Sequence, residues 1–427
     1  MRAFPALIVL CLAATGAARA AGKYEPVPLE DDERHLIESS QELEAYFRDQ
    51  SLLYGNEDVV ALVRRVGETL APTPVDDYVD YRFFVLRDPS PNAFALPNGH
   101  VYVHTGMLAR LEDESQLAAL LGHELTHVAG HHGILNHRTA TKRTIAALVL
   151  GGLGGGWGSV ISVGLQASVF GYSRDLEQEA DDHAVALLAD GPYDPHALPE
   201  VLDILGRDYE GLQPRMATIW STHPEIRARA ETSRALVQDL PRRQRDPQAF
   251  DAVIFPLRLL TIRDYIQDDY PHTALALAES LAERYPDDPR VQHVLGDAWA
   301  ALGAQRRLDP DELSNADKRR NLRDRARHTR EQRLEELLET EEGRAAYREN
   351  LTRAAEVQRR ALALDPGFAP AHRSLGEAYE RLGRPRDAAA AYLQYARLAP
   401  DAPDRALVVD RLRELAEVIK AEEDDDD

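Results

Sequence analysis

His123, Glu124 and His127 stand in the pentapeptide HELTH, two imidazoles and a carboxylate in HExxH spacing. On a helix, residues four apart lie on one face, one turn above each other. Both imidazoles then aim a ring nitrogen at one metal ion, and Glu124 sits beside them where it takes a proton from water. That is the chemistry of metal-assisted hydrolysis. A buried helix that happens to carry two histidines is the competing reading. A catalytic zinc of this kind takes a third protein ligand and keeps its fourth position for water. One sequel to HExxH puts a glycine three residues on and a histidine three beyond it. Gly130 fits, but the next position is Gly133, and His131 and His132 miss the register. The other sequel is a carboxylate from a second helix. Residues 173–184, SRDLEQEADDHA, supply Glu177 and Asp181 four apart on one face. Glu177 would ligate the metal, and Asp181 would hydrogen-bond a ligand histidine from behind. Glu179 and Asp182 point elsewhere on that helix and read as a solvated acidic face.

These side chains need elements to hold them. Residues 114–121, ESQLAALL, are rich in Ala and Leu with apolar residues at helical spacing, so HELTH falls on a helix. Residues 34–70 also have helical periodicity. YRFFVL at 81–86 reads as a strand, and residues 92–103 read as a hairpin turning at Pro97-Asn98-Gly99. A strand at the edge of a sheet beside such a helix has a use: it binds an extended peptide by strand addition. Asn92, Ala93, Phe94 and Ala95 are the residues that would do so, and plain core packing is the alternative.

HELTH followed at a distance by SRDLEQEAD resembles the gluzincin family of metallopeptidases that includes the CAAX prenyl protease and the HtpX heat-shock peptidase. The resemblance is strongest to its periplasmic β-barrel assembly-enhancing members. NAFALPNGHVYVHTGML at 92–108 is similar to the family's edge-strand segment, and STHPEIRAR at 221–229 to its STHP element, with Arg229 six residues after His223. The four elements cover roughly residues 35–235. The resemblance implies a zinc endopeptidase with one Zn2+ per chain held by His123, His127 and Glu177. Glu124 would be the base, and Asp181 and Arg229 would support the ligands. For His223 two roles stay open: it stabilises the oxyanion, or it occupies the open metal position and holds the enzyme latent. The implied substrates are unfolded or misassembled envelope proteins.

The chain has 427 residues, 44% of them hydrophobic, enough for two domains with packed cores. Arg2, the apolar run at 4–14 and Ala18-Arg19-Ala20 form a signal peptide over residues 1–20, so a periplasmic location is expected. Association with the outer membrane is a further expectation. The one cysteine, Cys11, lies inside that leader; lipidation is the alternative reading, disfavoured by Leu10 before it and by the short apolar run, so the mature chain is expected to lack thiols and disulfides. The formal net charge of −22 excludes nucleic acid and anionic lipid as partners bound by bulk electrostatics. Residues 144–173 carry no charge, but the glycines between Gly151 and Gly158 interrupt them. A helix–loop–helix hairpin beside the site is favoured over a transmembrane span. Peripheral membrane contact through a tip carrying Trp157 stays open.

From about Asp251 the sequence changes character. Leu375, Gly376, Tyr379, Gly383, Ala388, Tyr392 and Pro400 fall at tetratricopeptide-repeat spacing, with Tyr395 where a small residue is usual. Leu295, Gly296, Trp299 and Gly303 suggest an earlier copy, farther away than two repeats would place it; the excess falls in the charged residues 305–350, read as exposed helices. The expected fold is mainly α with a small β-sheet. A zincin-like metallopeptidase domain over 21–245 precedes a helical repeat solenoid over 251–420 and an acidic, disordered tail over 421–427. The repeats would bind substrates or the outer-membrane assembly machinery. The alternative function is a chaperone or scaffold for outer-membrane protein assembly with largely latent proteolysis.

Overall fold

The computed structural model describes residues 24–139, 172–209, 223, 225–303 and 330–426. The leader, nearly all of 144–173, the rest of the STHP tetrapeptide and part of the charged segment lie outside the described residues. The chain divides into two compact units, Met1–Arg258 and Leu259–Asp427. Among the described residues no helix is long and apolar enough to cross a membrane.

In the first unit, the helical stretch at 34–70 is two helices, α1 (Asp31–Asp49) and α2 (Glu57–Leu70). Asn56 ends the break between them by accepting a hydrogen bond from Val59 N, as an N-cap does. α2 buries Val59, Leu62, Val63, Val66 and Leu70, the one-sided stripe of a helix covering a core. Three strands follow: β1 (Arg82–Leu86), β2 (Ala93–Ala95) and β3 (His100–His104). Their order is β1-β3-β2, with β1 parallel and β2 antiparallel to β3. The hairpin turns at Gly99, whose φ of 90° suits glycine alone at low cost. A Cβ there would also stand 2.8 Å from the Asp80 carbonyl oxygen. The register sets Phe84 and Phe94 on either side of Tyr102, stacked at 5.0 and 5.1 Å between ring centroids. Phe47 of α1 meets Tyr102 edge-on, so α1 packs over this face.

After the short α3 (Thr105–Leu108) comes α4 (Glu114–Ala129), which carries HELTH. Its N-cap Asp113 accepts from Gln116 N at 3.0 Å. Its residues from Ser115 to Val128 are all buried, so it is a core helix rather than an amphipathic surface one. α2, β2, β3 and α6 (Arg174–Asp190) surround it. The unit is completed by α5 (His132–Thr139), α7 (Ala197–Tyr209) and α8 (Ile226–Val237).

The division between units falls inside α9 (Pro247–Gln267) rather than in a linker near residues 246–250. The reason is Arg258, buried on α9, which donates to the carbonyls of Ala109 and Leu111 and pairs with Asp251. The helix thus stays part of the first unit to that point.

The second unit contains α10 (Pro271–Arg284), α11 (Pro289–Leu302), α12 (Arg330–Glu339), α13 (Glu341–Leu364), α14 (Ala369–Arg381), α15 (Pro385–Leu398) and α16 (Arg405–Asp426). Neighbours pack in series: α10 on α11, α11 on α13, then each on the next. Prolines in the first turn start α10, α11, α14 and α15, where a missing N–H costs nothing. Gly376 lets α15 approach α14, because a Cβ there would lie 2.6 Å from the Tyr392 ring. Tyr395 is buried and its hydroxyl donates to Asp404. The acidic end corrects one expectation. It is not a disordered tail: α16 continues through Asp426, since Leu412 and Leu415 anchor it in the core and its Ala, Glu, Lys and Ile residues propagate a helix once one is started.

Candidate metal centre

α4 and α6 lie side by side, and their facing turns carry the candidate ligands. His123 and His127 stack one turn apart on α4, with ring centroids 4.7 Å apart. Their Nε2 atoms converge to 3.1 Å. Ser173 caps α6 by accepting from Leu176 N, and one turn in, Glu177 faces α4. Its Oε2 lies 3.6 Å from His123 Nε2 and its Oε1 3.6 Å from His127 Nε2. His223 enters from the segment before α8, with Nδ1 3.0 Å from Glu177 Oε1 and 3.3 Å from His123 Nε2. One ligand atom from each of His123, His127, Glu177 and His223 lies within 4.8 Å of all the others, and all four residues are buried. Ligands at about 2.0–2.1 Å around a tetrahedral zinc stand roughly 3.3 Å from one another, so this donor set fits one zinc-sized ion. Glu124 is not part of the foursome. Its Oε1 lies 3.7 Å from His223 Nε2, at the edge of the cluster.

A second layer holds the first. His123 Nδ1 lies 3.0 Å from Asp181 Oδ1. Arg229 of α8 donates to both Asp181 oxygens, at 2.8 and 2.7 Å, and its third nitrogen pairs with Glu177. Its backbone is set by the turn at Glu225, in the left-handed region at φ 61°, which starts α8. Burial would push the Asp181 carboxyl up, but its bonds to Arg229 and His123 outweigh that and hold it down at about 2. Burial also opposes the Glu177 carboxylate, and His223, His123 and Arg229 together lower it nonetheless. His127 goes the other way: burial first, then the neighbouring imidazoles and Arg229, keep it neutral with a free lone pair. Burial would lower His223 too, but the adjoining Glu177 and Glu124 carboxylates raise it.

The sequence has counterparts among known proteins. Residues 56–237 match the family model described as peptidase family M48. Over this segment, less than half of its length, the chain is similar to peptidase family M48. Over 265 residues the chain is 28% identical to a Vibrio cholerae protein assigned as a beta-barrel assembly-enhancing protease, covering 56% of this chain and 54% of that one. It is 27% identical over 217 residues to the mitochondrial metalloendopeptidase OMA1 of Schizosaccharomyces pombe, covering 48% and 61%. With the beta-barrel assembly-enhancing protease of Escherichia coli the identity is 27% over 166 residues, covering 36% and 34%. The chain thus spans about half the length, or less, of most of these M48 relatives.

The structure brings His123, His127, Glu177, His223, Glu124, Asp181 and Arg229 into one cluster. β2 forms the sheet edge opposite β1 and lies against α4. Ala93, Phe94 and Ala95 are buried, and Asn92 Oδ1 is buried without a hydrogen-bond partner among the described residues. Ala95, Leu96 and Pro97 line one small cleft together with His127 and Tyr172. Three further residues belong here that sequence reasoning missed. Tyr172 stacks on the His127 ring at 3.7 Å, almost parallel. His132 meets His127 from behind, with the two Nδ1 atoms 2.8 Å apart. His131 pairs with Asp76 at 2.6 Å. The doublet His131-His132 was the available signal; its failure to match a ligand register hid its support role. Glu179 is also less solvated than an outward acidic face implies. The Tyr24 hydroxyl donates to it, and its Oε2 lies 3.8 Å from His132 Nε2.

Proposed function

We propose that this protein is a zinc-dependent endopeptidase that acts on unfolded or misassembled proteins. The observation that carries the reading is the convergence of three imidazoles and one carboxylate on a single buried point, with the HExxH glutamate beside it. His123, His127 and Glu177 hold the metal. Zinc bound there supplies a Lewis acid for the scissile carbonyl and makes its water acidic. Glu124 takes the water's proton and passes it to the leaving amine. Asp181 fixes His123 through Nδ1, and Arg229 pairs with both the ligand carboxylate Glu177 and Asp181 behind it. Ala93–Ala95, the edge strand beside α4, align an extended substrate by strand addition.

His223 is the latch. Its Nδ1 stands at ligand distance from the other donors, which supports the capped reading over the oxyanion reading. A metal held by all four of these residues would have no position left for water, so activity would require His223 to move away. This favours the companion reading of the protein as an assembly factor whose proteolysis is latent by default. The names of the assembly-enhancing relatives and the leader pattern read over residues 1–20 support a periplasmic site of action on envelope proteins. The serial helix hairpins of the second unit, with Gly376 and Gly296 at close crossings, support a tetratricopeptide-like surface for substrates or outer-membrane assembly partners. The test is casein cleavage by the purified chain before chelation, after it, and after adding back one equivalent of zinc. Loss and recovery of cleavage support the reading. Cleavage that survives complete removal of metal overturns it.

A further inference from the structure

His127 uses Nε2 towards the metal position, so its other nitrogen, Nδ1, faces away from the cluster. What meets it there is His132 Nδ1, at 2.8 Å. Two ring nitrogens at that distance share one proton. A neutral imidazole whose Nε2 lone pair is given to a metal carries its proton on Nδ1. His127 therefore donates, and His132 Nδ1 accepts. His132 is then left with its own proton on Nε2, which points towards Glu179 Oε2 at 3.8 Å. Every proton in this chain is fixed by the first one.

The chain is shaped to put His132 there. α4 ends at Gly130, and His131 takes the left-handed conformation at φ 54°, unusual for a residue with a side chain. The His131–Asp76 pair at 2.6 Å ties that turn down. The turn folds His132 back beneath the last turn of α4, where it is buried. Gly130 makes room for it: a Cβ at Gly130 would stand 2.4 Å from His132 Nε2 and 2.7 Å from its Cδ2. The two α4 imidazoles are thus supported differently, His123 by a carboxylate and His127 by a second imidazole.

We propose that His132 is a positioning residue for the metal site: it accepts the Nδ1 proton of His127 and so fixes the tautomer and tilt that present Nε2 to zinc. The proposal rests on the zinc reading above. The test is the zinc dissociation constant of the purified chain, measured by competition with a chromophoric chelator, for wild type, His132→Leu and His132→Asn. Leu keeps the bulk and lacks an acceptor; Asn keeps an oxygen near the place of Nδ1. The expected result is a 10- to 100-fold loss of affinity in His132→Leu and recovery of most of it in His132→Asn. The visible spectrum of the cobalt-loaded protein should shift in the Leu variant and return in the Asn variant. Wild-type affinity in His132→Leu, or a loss in Asn equal to that in Leu, overturns the proposal. If the Leu variant does not fold, Gly130→Ala carries the test, since it displaces the ring and leaves the acceptor in the sequence. Its zinc affinity should fall, and an unchanged value overturns the proposal. Failure of the wild type itself to bind zinc would instead overturn the underlying metal reading.

Discussion

Arg229→Met removes the cation that holds two buried carboxylates together. Arg229, Asp181 and Glu177 are 8%, 0% and 1% exposed, so solvent screens none of their interactions. Removing one partner of such a cluster leaves uncompensated charge and costs about 3–5 kcal/mol. The depression of the Asp181 carboxyl by Arg229 and His123 points in the same direction. That carboxyl is pulled from an ordinary value of 3.8 to about 2, which corresponds to about 2 kcal/mol at neutral pH. The sign follows from linkage. A depressed folded-state value stabilises fully above the unfolded value near 4, and the contribution disappears as pH falls through about 2. At pH 3 about half of it should remain. Urea unfolding of the metal-free protein, followed by circular dichroism, should therefore show a deficit of about 3 kcal/mol in Arg229→Met at pH 7. The deficit should narrow at pH 3. A deficit below about 1 kcal/mol at pH 7, or one that does not change with pH, would refute the assignment of Arg229 as the counter-ion of the cluster.

Two other variants probe the ligands and the latch. Glu177→Gln should lose most of its bound zinc by metal analysis while Glu179→Gln retains it, because a neutral amide still accepts from Tyr24 but is a poor metal ligand; the opposite ranking would show that the third ligand is elsewhere. His223→Ala should raise the rates of self-cleavage and casein cleavage with zinc still bound. A drop of about 10- to 1000-fold would return His223 to an oxyanion role, and unchanged rates would leave it no role at all.

The chemistry of this chain was the most legible part of its sequence because it is local. HELTH and the Glu177–Asp181 pair depend on helical spacing, and Pro97-Asn98-Gly99 depends on turn geometry, so each is written within a few residues. What sequence reasoning missed is contact between distant segments. His131 reaches Asp76, 55 positions away, and Arg258 reaches the carbonyl of Ala109, 149 positions away. Neither has a local pattern. His132 was visible and set aside, because it was tested as a ligand and not as a partner to one. The helical end of α16 was missed for a different reason. Six acids in a row read as solvated coil, but a helix already nucleated by packed residues passes through Glu422 and Glu423 at little cost and ends at Asp426.

The central claim is that one zinc site with Glu124 as its base cleaves peptide bonds. Glu124→Gln tests it most directly, since the amide replaces one oxygen and Glu124 is not itself one of the four converging donors. Zinc content and casein cleavage should be measured on the same preparation. The expected result is one zinc per chain, as in the wild type, and no cleavage above background. Cleavage near the wild-type rate with zinc bound would contradict it.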